Sequence, residues 1–268
     1  RALHAELLRR IAPGAPRCIG LDLLLDDSNA HHAGDGAVLA QSMKEAGCVV
    51  LPMAMQASLG NEQFQQEVLP SAPLARAATA LGHSHLSVDN DGHVKGVYLE
   101  EGFPGREWPH FSLALLAAAR DRSKPQPSID DGPQTSPPAG RWRRHHEEVL
   151  LFNAAGTAYQ TVSYIDVLRG EVSPELFRDR YVMVGVTADT VADLFASHAA
   201  ARPGLQPGVE IFAATLQALD RNQHVHPASV WQDLAFNLVP LVIVLFSLLW
   251  LGPLGVVSLV LCMLAVGA

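Results

Sequence analysis

Residues 234–251 read LAFNLVPLVIVLFSLLWL, an eighteen-residue run without a charged side chain in which Asn237 and Ser247 are the polar exceptions. A helix of that length rises roughly 27 Å, close to the hydrocarbon thickness of a bilayer. After Gly252, Pro253 and Gly255 a second apolar run, VVSLVLCMLAVGA, reaches residue 268. Two such runs joined by LGPLG predict transmembrane helices over about 234–251 and 254–268, the second truncated, with Pro240 placed to kink the first. The alternative is a buried hairpin of a soluble protein. The joining segment carries no Lys or Arg, so the positive-inside rule fixes no orientation.

Residues 1–232 contain no comparable run, and we read them as one water-soluble domain on one side of the membrane, with 233–268 as the membrane segment. The chain begins at Arg1 rather than Met and ends inside an apolar run, which predicts a piece of a longer polypeptide. A net charge of −8 argues against nucleic acid as a partner. Of the three cysteines, Cys262 lies in the second apolar run. Cys18 and Cys48 each open an apparent strand. Small buried thiols are the commoner reading of such a pair, a bridge stays open if the strands are neighbours, and the compartment is undecided.

The spacing predicts a helix over 2–11 with Leu3, Leu7, Leu8 and Ile11 inward, then a buried strand CIGLDLLL after the prolines at 13 and 16. Asp35 is placed to cap a second helix through Ala46 with Val38, Leu39 and Met43 inward; Gly47 stops it, and CVVLPM is a second strand. Strand, helix, strand implies a parallel sheet. A polar loop with an Ala-rich helical stretch follows. HLSVDNDGHVKGVYLEE then alternates around Asp91-Gly92 and predicts a β-hairpin. Residues 111–120 form a buried helix, 123–140 an exposed Pro-rich loop, EVLLFN a strand, VSYIDVLRG and PELFRDR short helices, YVMVGVT a third buried strand, and 208–220 a helix with an apolar stripe. The expected fold is α/β: a mixed, largely parallel sheet with flanking helices and a β-hairpin, followed by transmembrane helices.

In this order the segments resemble the type-two CHASE domain, a sensory module outside the cytoplasm in bacterial histidine kinases, nucleotide cyclases and serine/threonine kinases. IGLDLLLDDS, Asp35 and the helix into CVVLP resemble its strand, acidic loop, helix and strand ending in proline. LGHSHLSVDNDGHVKGVYL is similar to its histidine-bearing turn, VSYIDVLRGEVSPELFRDRYVMVGVTADTVADLF to the segment entering its most recognisable strand, and PGVEIFAATLQAL to its closing helix. Phe212 stands where the family often has His. The family's opening membrane helix and first strand precede the helix that begins here, so the resemblance implies a domain incomplete at its N-terminus.

Four groups of residues invite a chemical reading. His83, His85 and His93 bracket the expected hairpin and invite a metal, but no Cys or Glu stands at ligand spacing, so hydrogen-bonded histidines are expected and no metal or cofactor. Asp89, Asp91 and Glu100 match three places of a calcium loop, whereas His93 and Val94 occupy places for a ligand and a glycine, so a turn is expected. Asp22, Asp189 and Asp193 fall at strand ends, where open α/β sheets bind ligands; helix or loop capping is the plain alternative. RWRRHHEE mixes signs and predicts a solvated surface, with Trp142 as an anchor. No GxSxG, HExxH, Walker or dinucleotide fingerprint occurs, so the segment is read as no enzyme.

The resulting expectation is a sensory domain of a bacterial membrane receptor. It lies in the periplasm or outside the cell, is anchored in the plasma membrane, and responds to a small-molecule or protein signal. It acts on a cytoplasmic output module, a histidine kinase first, and homodimerisation is expected by analogy. The rival expectation is a membrane-anchored enzyme with its active site around Asp22, Asp189 and Asp193.

Overall fold

The computed structural model describes residues 1–26, 33–58, 61–121, 141–150, 159–188, 193–197, 205–225 and 228–250. The expected loop over 123–140, the second apolar run and Asp189 lie outside the described residues. The chain divides into two compact units, Arg1–Val225 and His226–Ala268.

The first unit is built on a parallel sheet. β1 (Cys18–Leu21) lies between β2 (Val49–Ser58) and β9 (Tyr181–Val184), and β4 (Ala80–His83) pairs with β2, all four parallel. Because side chains alternate along a strand, β1 serves two cores. Ile19 and Leu21, with Val49, Leu51 and Met53, face one apolar cluster. Its helices are α1 (Ala2–Ile11), α2 (Ala33–Ala46) and α3 (Ala72–Ala77). Cys18, Cys48 and Val50 face the other, formed with α4 (Phe111–Arg120) and α6 (Gly208–Asp220). Gly20 and Gly82 open this second face: a Cβ on Gly20 would stand 3.0 Å from the Phe111 ring and one on Gly82 2.7 Å from the Phe111 Cα. The absence of side chains there lets α4 lie directly on the sheet.

Cys18 and Cys48 form a disulfide with Cα atoms 4.8 Å apart, and the expectation of free thiols is corrected. The pairing of Ile19 with Val49 sets the two cysteines opposite each other on neighbouring strands, with both side chains on the same sheet face.

Several expected features shift. The α1 stripe is Ala5, Leu7, Leu8 and Ile11, with Leu3 exposed; each step of four residues drifts about 40° around a helix, and Leu3 is two steps from Ile11. Val38 is likewise exposed on α2. Asp35 sits within the first turn of α2, where its charge complements the helix dipole, rather than before it. Gly47 (φ 83°) closes α2 as expected. The predicted strand CIGLDLLL ends at Leu21, and the predicted third buried strand, β9, is only half-buried.

The polar segment after β2 is itself a strand, β3 (Asn61–Val68), antiparallel to the second half of β2. Around Asp91-Gly92 there is a turn but no β-hairpin. Gly92 has φ 83°, the Asp89 N–H donates to the His93 carbonyl, and Lys95 occupies both Asp89 and Asp91 at 2.9 and 2.7 Å. The flanking strands take other partners: β5 (His93–Val94) pairs with β10 (Leu194–Ser197), which also pairs with β11 (Leu205–Pro207). β6 (Gly96–Phe103) turns through Gly105 into β7 (Arg106–Pro109) and pairs on its other side with β8 (Arg143–Leu150). β8 carries the RRHHEE segment, read as a solvated surface after the loop, and pairs with β12 (His224–Val225). α5 (Tyr164–Arg169) and the 3-10 turn Pro174–Phe177 lie between β8 and β9 in the chain.

In the second unit α7 (Val230–Trp250) takes up most of the uncharged run. Among the described residues no helix is both long and apolar enough to cross a membrane; the run continues to residue 251, outside them.

The disulfide closes a loop of 30 residues, which by loop-closure entropy is worth roughly 3–4 kcal/mol. Replacing Cys18 and Cys48 together by Ala is expected to lower unfolding stability by that order, measured by urea denaturation without reductant. A loss below about 1 kcal/mol would show that the bridge adds little.

Candidate functional site

The chain enters the parallel sheet at β1, extends to β2 and β4 on one side, and returns to the other side of β1 with β9. The strand order therefore reverses between β1 and β9, where an open α/β sheet leaves a crevice beyond its strand ends. Asp22 follows β1 directly, and its N–H donates to the Val184 carbonyl at 2.7 Å, tying it to the end of β9. Gly185 follows that strand; a Cβ there would stand 2.6 Å from the Val209 side chain, so its absence admits the first turn of α6. The Gly208 N–H donates to the Asp193 carbonyl at 3.0 Å and fixes the segment that carries Asp193.

Asp22 and Asp193, expected together from the sequence, are within electrostatic reach of each other. Burial first, and then the negative charge of Asp193, push the Asp22 carboxyl up to about 6. A carboxyl so placed changes charge close to neutrality and can donate or accept a hydrogen bond to a polar ligand. Asp189 lies outside the described residues.

The three histidines considered for metal diverge. His93 is at the surface, with Nδ1 against the Asp91 carbonyl at 3.1 Å. His85 Nδ1 donates to Glu101 at 3.0 Å, and its Nε2 accepts from Arg144 at 3.4 Å. His83 is fully buried and donates from Nε2 to the Tyr98 carbonyl at 3.1 Å. Its neighbour is a residue the sequence did not single out, His110, also fully buried, with ring centroids 5.2 Å apart edge to face. Burial first lowers each of these two imidazoles to about 3, helped by His110 in the case of His83 and by His85 in the case of His110.

Glu101 was missed as well. It is almost fully buried and accepts hydrogen bonds from His85 and, at 2.9 Å, from the Trp142 indole. Burial pushes its carboxyl up, but the His85 hydrogen bond, the nearby imidazoles and the indole together outweigh burial and leave it lowered. Glu67 repeats the arrangement with the Trp108 indole at 2.9 Å and Arg106 at 3.2 Å. Nothing in local sequence spacing marks these pairs, because each joins segments about forty residues apart.

The sequence profile of the CHASE2 domain matches residues 1–253. The chain belongs to the CHASE2 family. No curated protein and no solved structure matches it. CHASE2 domains are extracytoplasmic sensory domains of membrane proteins and are not catalytic.

The titrating groups of this CHASE2 domain act with opposite sign. Asp22 is raised above the usual carboxylate range, so it adds stability at low pH that is lost as pH rises through about 6. His83 and His110 are depressed, so their contribution is complete above about 6.5 and is lost as pH falls towards 3. Between pH 4.5 and 5.5 the unfolded chain holds about two imidazole protons that the fold lacks, and the fold holds about one carboxyl proton that the unfolded chain lacks. These three groups then make stability rise with pH by about 1.4 kcal/mol per unit. Asp22→Asn is expected to steepen the slope by about as much again and His83→Gln to flatten it by that amount, read from urea unfolding of the full chain in micelles. Parallel slopes in all three proteins would show that these groups do not set it.

Proposed function

We propose that this chain is the sensory segment of a bacterial plasma-membrane receptor. In this reading Arg1–Val225 faces the periplasm or cell exterior, and α7 with the apolar run after it enters the bilayer. The observation that carries the reading is the extent of the family match, which runs to residue 253 and so takes in α7 as well as the α/β unit. α7 exposes Phe236, Val239, Leu241, Val242, Leu245 and Phe246, a surface suited to lipid. The Cys18–Cys48 disulfide suits an oxidising compartment.

The signal is a small molecule or protein engaging the crevice at Asp22 and Asp193. Binding that favours one packing of α6 over another shifts its population, and α6 leads along the chain through β12 to α7. The output module is cytoplasmic, a histidine kinase first, and the receptor works as a homodimer.

Flotation with anionic vesicles tests the anchor: the full chain is expected to float, and Leu241→Arg/Val244→Arg to remain at the bottom of the gradient. Equal flotation of both would remove α7 as the anchor. For the crevice, a panel of metabolites and anions is screened by thermal unfolding; a ligand at 100 times its Kd adds about 2.7 kcal/mol. The expected hit loses its effect in Asp22→Ala and Asp193→Ala, whereas a hit retained by both variants places binding elsewhere. The coding sequence after Ala268 tests the output, with a dimerisation helix and ATP-binding module expected; a cyclase module would change the output and keep the sensor.

A further inference from the structure

His83 and His110 stand where β4 meets the start of α4, joined by a parallel backbone bridge. Their hydrogen bonds place one proton on each ring, and burial disfavours a second. The Tyr98 carbonyl can only accept, so His83 carries its proton on Nε2; the Ser112 N–H donates to His110 Nδ1 at 3.2 Å, so that nitrogen is unprotonated and His110 carries its proton on Nε2. His83 Nδ1 and His110 Nε2 are left buried without a hydrogen-bond partner.

Neither ring accepts a second proton without damage to the fold. His110 is the N-cap of α4, and its Nδ1 lone pair is the cap. Protonating that atom turns the acceptor into a donor facing the Ser112 N–H, and sets a cation at the positive end of the helix dipole. Protonating His83 Nδ1 sets a cation in an apolar seam beside the second imidazole. The charged and titratable groups facing the pair are Glu101 of β6, which favours charge on His83, and His85, which opposes it. Glu101 is already engaged by His85, Trp142 and Arg144. From α6 the Phe212 ring packs on His110 at 5.6 Å, and the Phe212 carbonyl accepts from Ser112 Oγ at 2.8 Å.

We propose that the signal read by this domain includes acidity, and that His83 and His110 are a proton-released latch holding α4, and through it α6, on the sheet. The consequence for signalling rests on the receptor reading; the latch chemistry does not. The neutral pair closes the seam. When the seam opens, both rings reach water and take protons with the ordinary affinity of an imidazole, so the open state gains at acid pH.

The test is hydrogen–deuterium exchange of the full chain in lipid nanodiscs, corrected for intrinsic rates, at pH 7.5 and 5.0. With an exposed imidazole titrating near 6.5, each ring contributes a factor of roughly 30 over this interval. Opening of α4 and α6 is expected to increase roughly 1000-fold in the wild type, roughly 30-fold in His83→Gln, and to stay unchanged in His83→Gln/His110→Asn, where Asn keeps the cap without titrating. A double variant that responds like the wild type overturns the latch, as does a wild type whose protection ignores pH. Should the double variant fail to fold, histidine NMR of the wild type decides: the two ring signals are expected not to titrate between pH 8 and 6, and titration like an exposed imidazole overturns the latch. A chain that shows the release but fails to float with vesicles keeps the latch and loses the membrane anchor; a chain that floats without release does the reverse.

Discussion

The fold depends on β1 being buried on both faces. Four residues, Cys18–Leu21, have neighbours along both edges and a helical layer on each side. Such a strand leaves no room for compromise: its odd and even positions must each match a separate core. Ile19 and Leu21 supply bulk to the α1–α2–α3 side, while Gly20 withdraws on the other so that Phe111 can approach. The disulfide from Cys18 joins β1 to β2 on that second face, so the layer carrying α4 and α6 rests on a cross-linked strand pair.

Ionisable groups are buried beside both cores. Burying Glu101 and Glu67 would be prohibitive without donors, and each receives an indole N–H together with an arginine nearby. His83 and His110 are handled differently. They are left neutral, each with one hydrogen bond made and one nitrogen unsatisfied. Carboxylates here are locked by multiple partners, whereas the imidazoles keep unused hydrogen-bonding capacity in the seam between sheet and helix.

Helices were read well from the sequence where one face is apolar: α4 and α6 span the expected residues, and α5 ends at Gly170 as expected. Strands were read less well. NEQFQQEV and RRHHEE pair in ladders with β2 and β6 but lack an apolar alternation, so periodicity misses them. Asp91-Gly92 did form its turn, but a turn signal is local and cannot say which strands pair beyond it; β5 and β6 found partners from residues 194–197 and 143–149. The cysteines needed strand adjacency, and the Asp22–Asp193 approach needed β9 to return beside β1. Both are facts of topology that residue spacing does not contain. His110 escaped notice because a lone histidine before an apolar helix reads as an ordinary cap until its partner is known.

α6 is where these observations meet. Its first turn lies against Gly185 at the crevice, with Gly208 bonded to Asp193, and four residues on, about 6 Å along the axis, Phe212 packs on His110. Protons act on these two contacts in opposite directions. Acid neutralises Asp22 and relieves its repulsion with Asp193, which favours the native crevice, while the same acid favours an open seam around the imidazoles. α6 thus carries, at its first turn, a contact beside the carboxyl pair and, four residues on, a contact with the imidazole seam, and acid acts on the two surroundings with opposite sign.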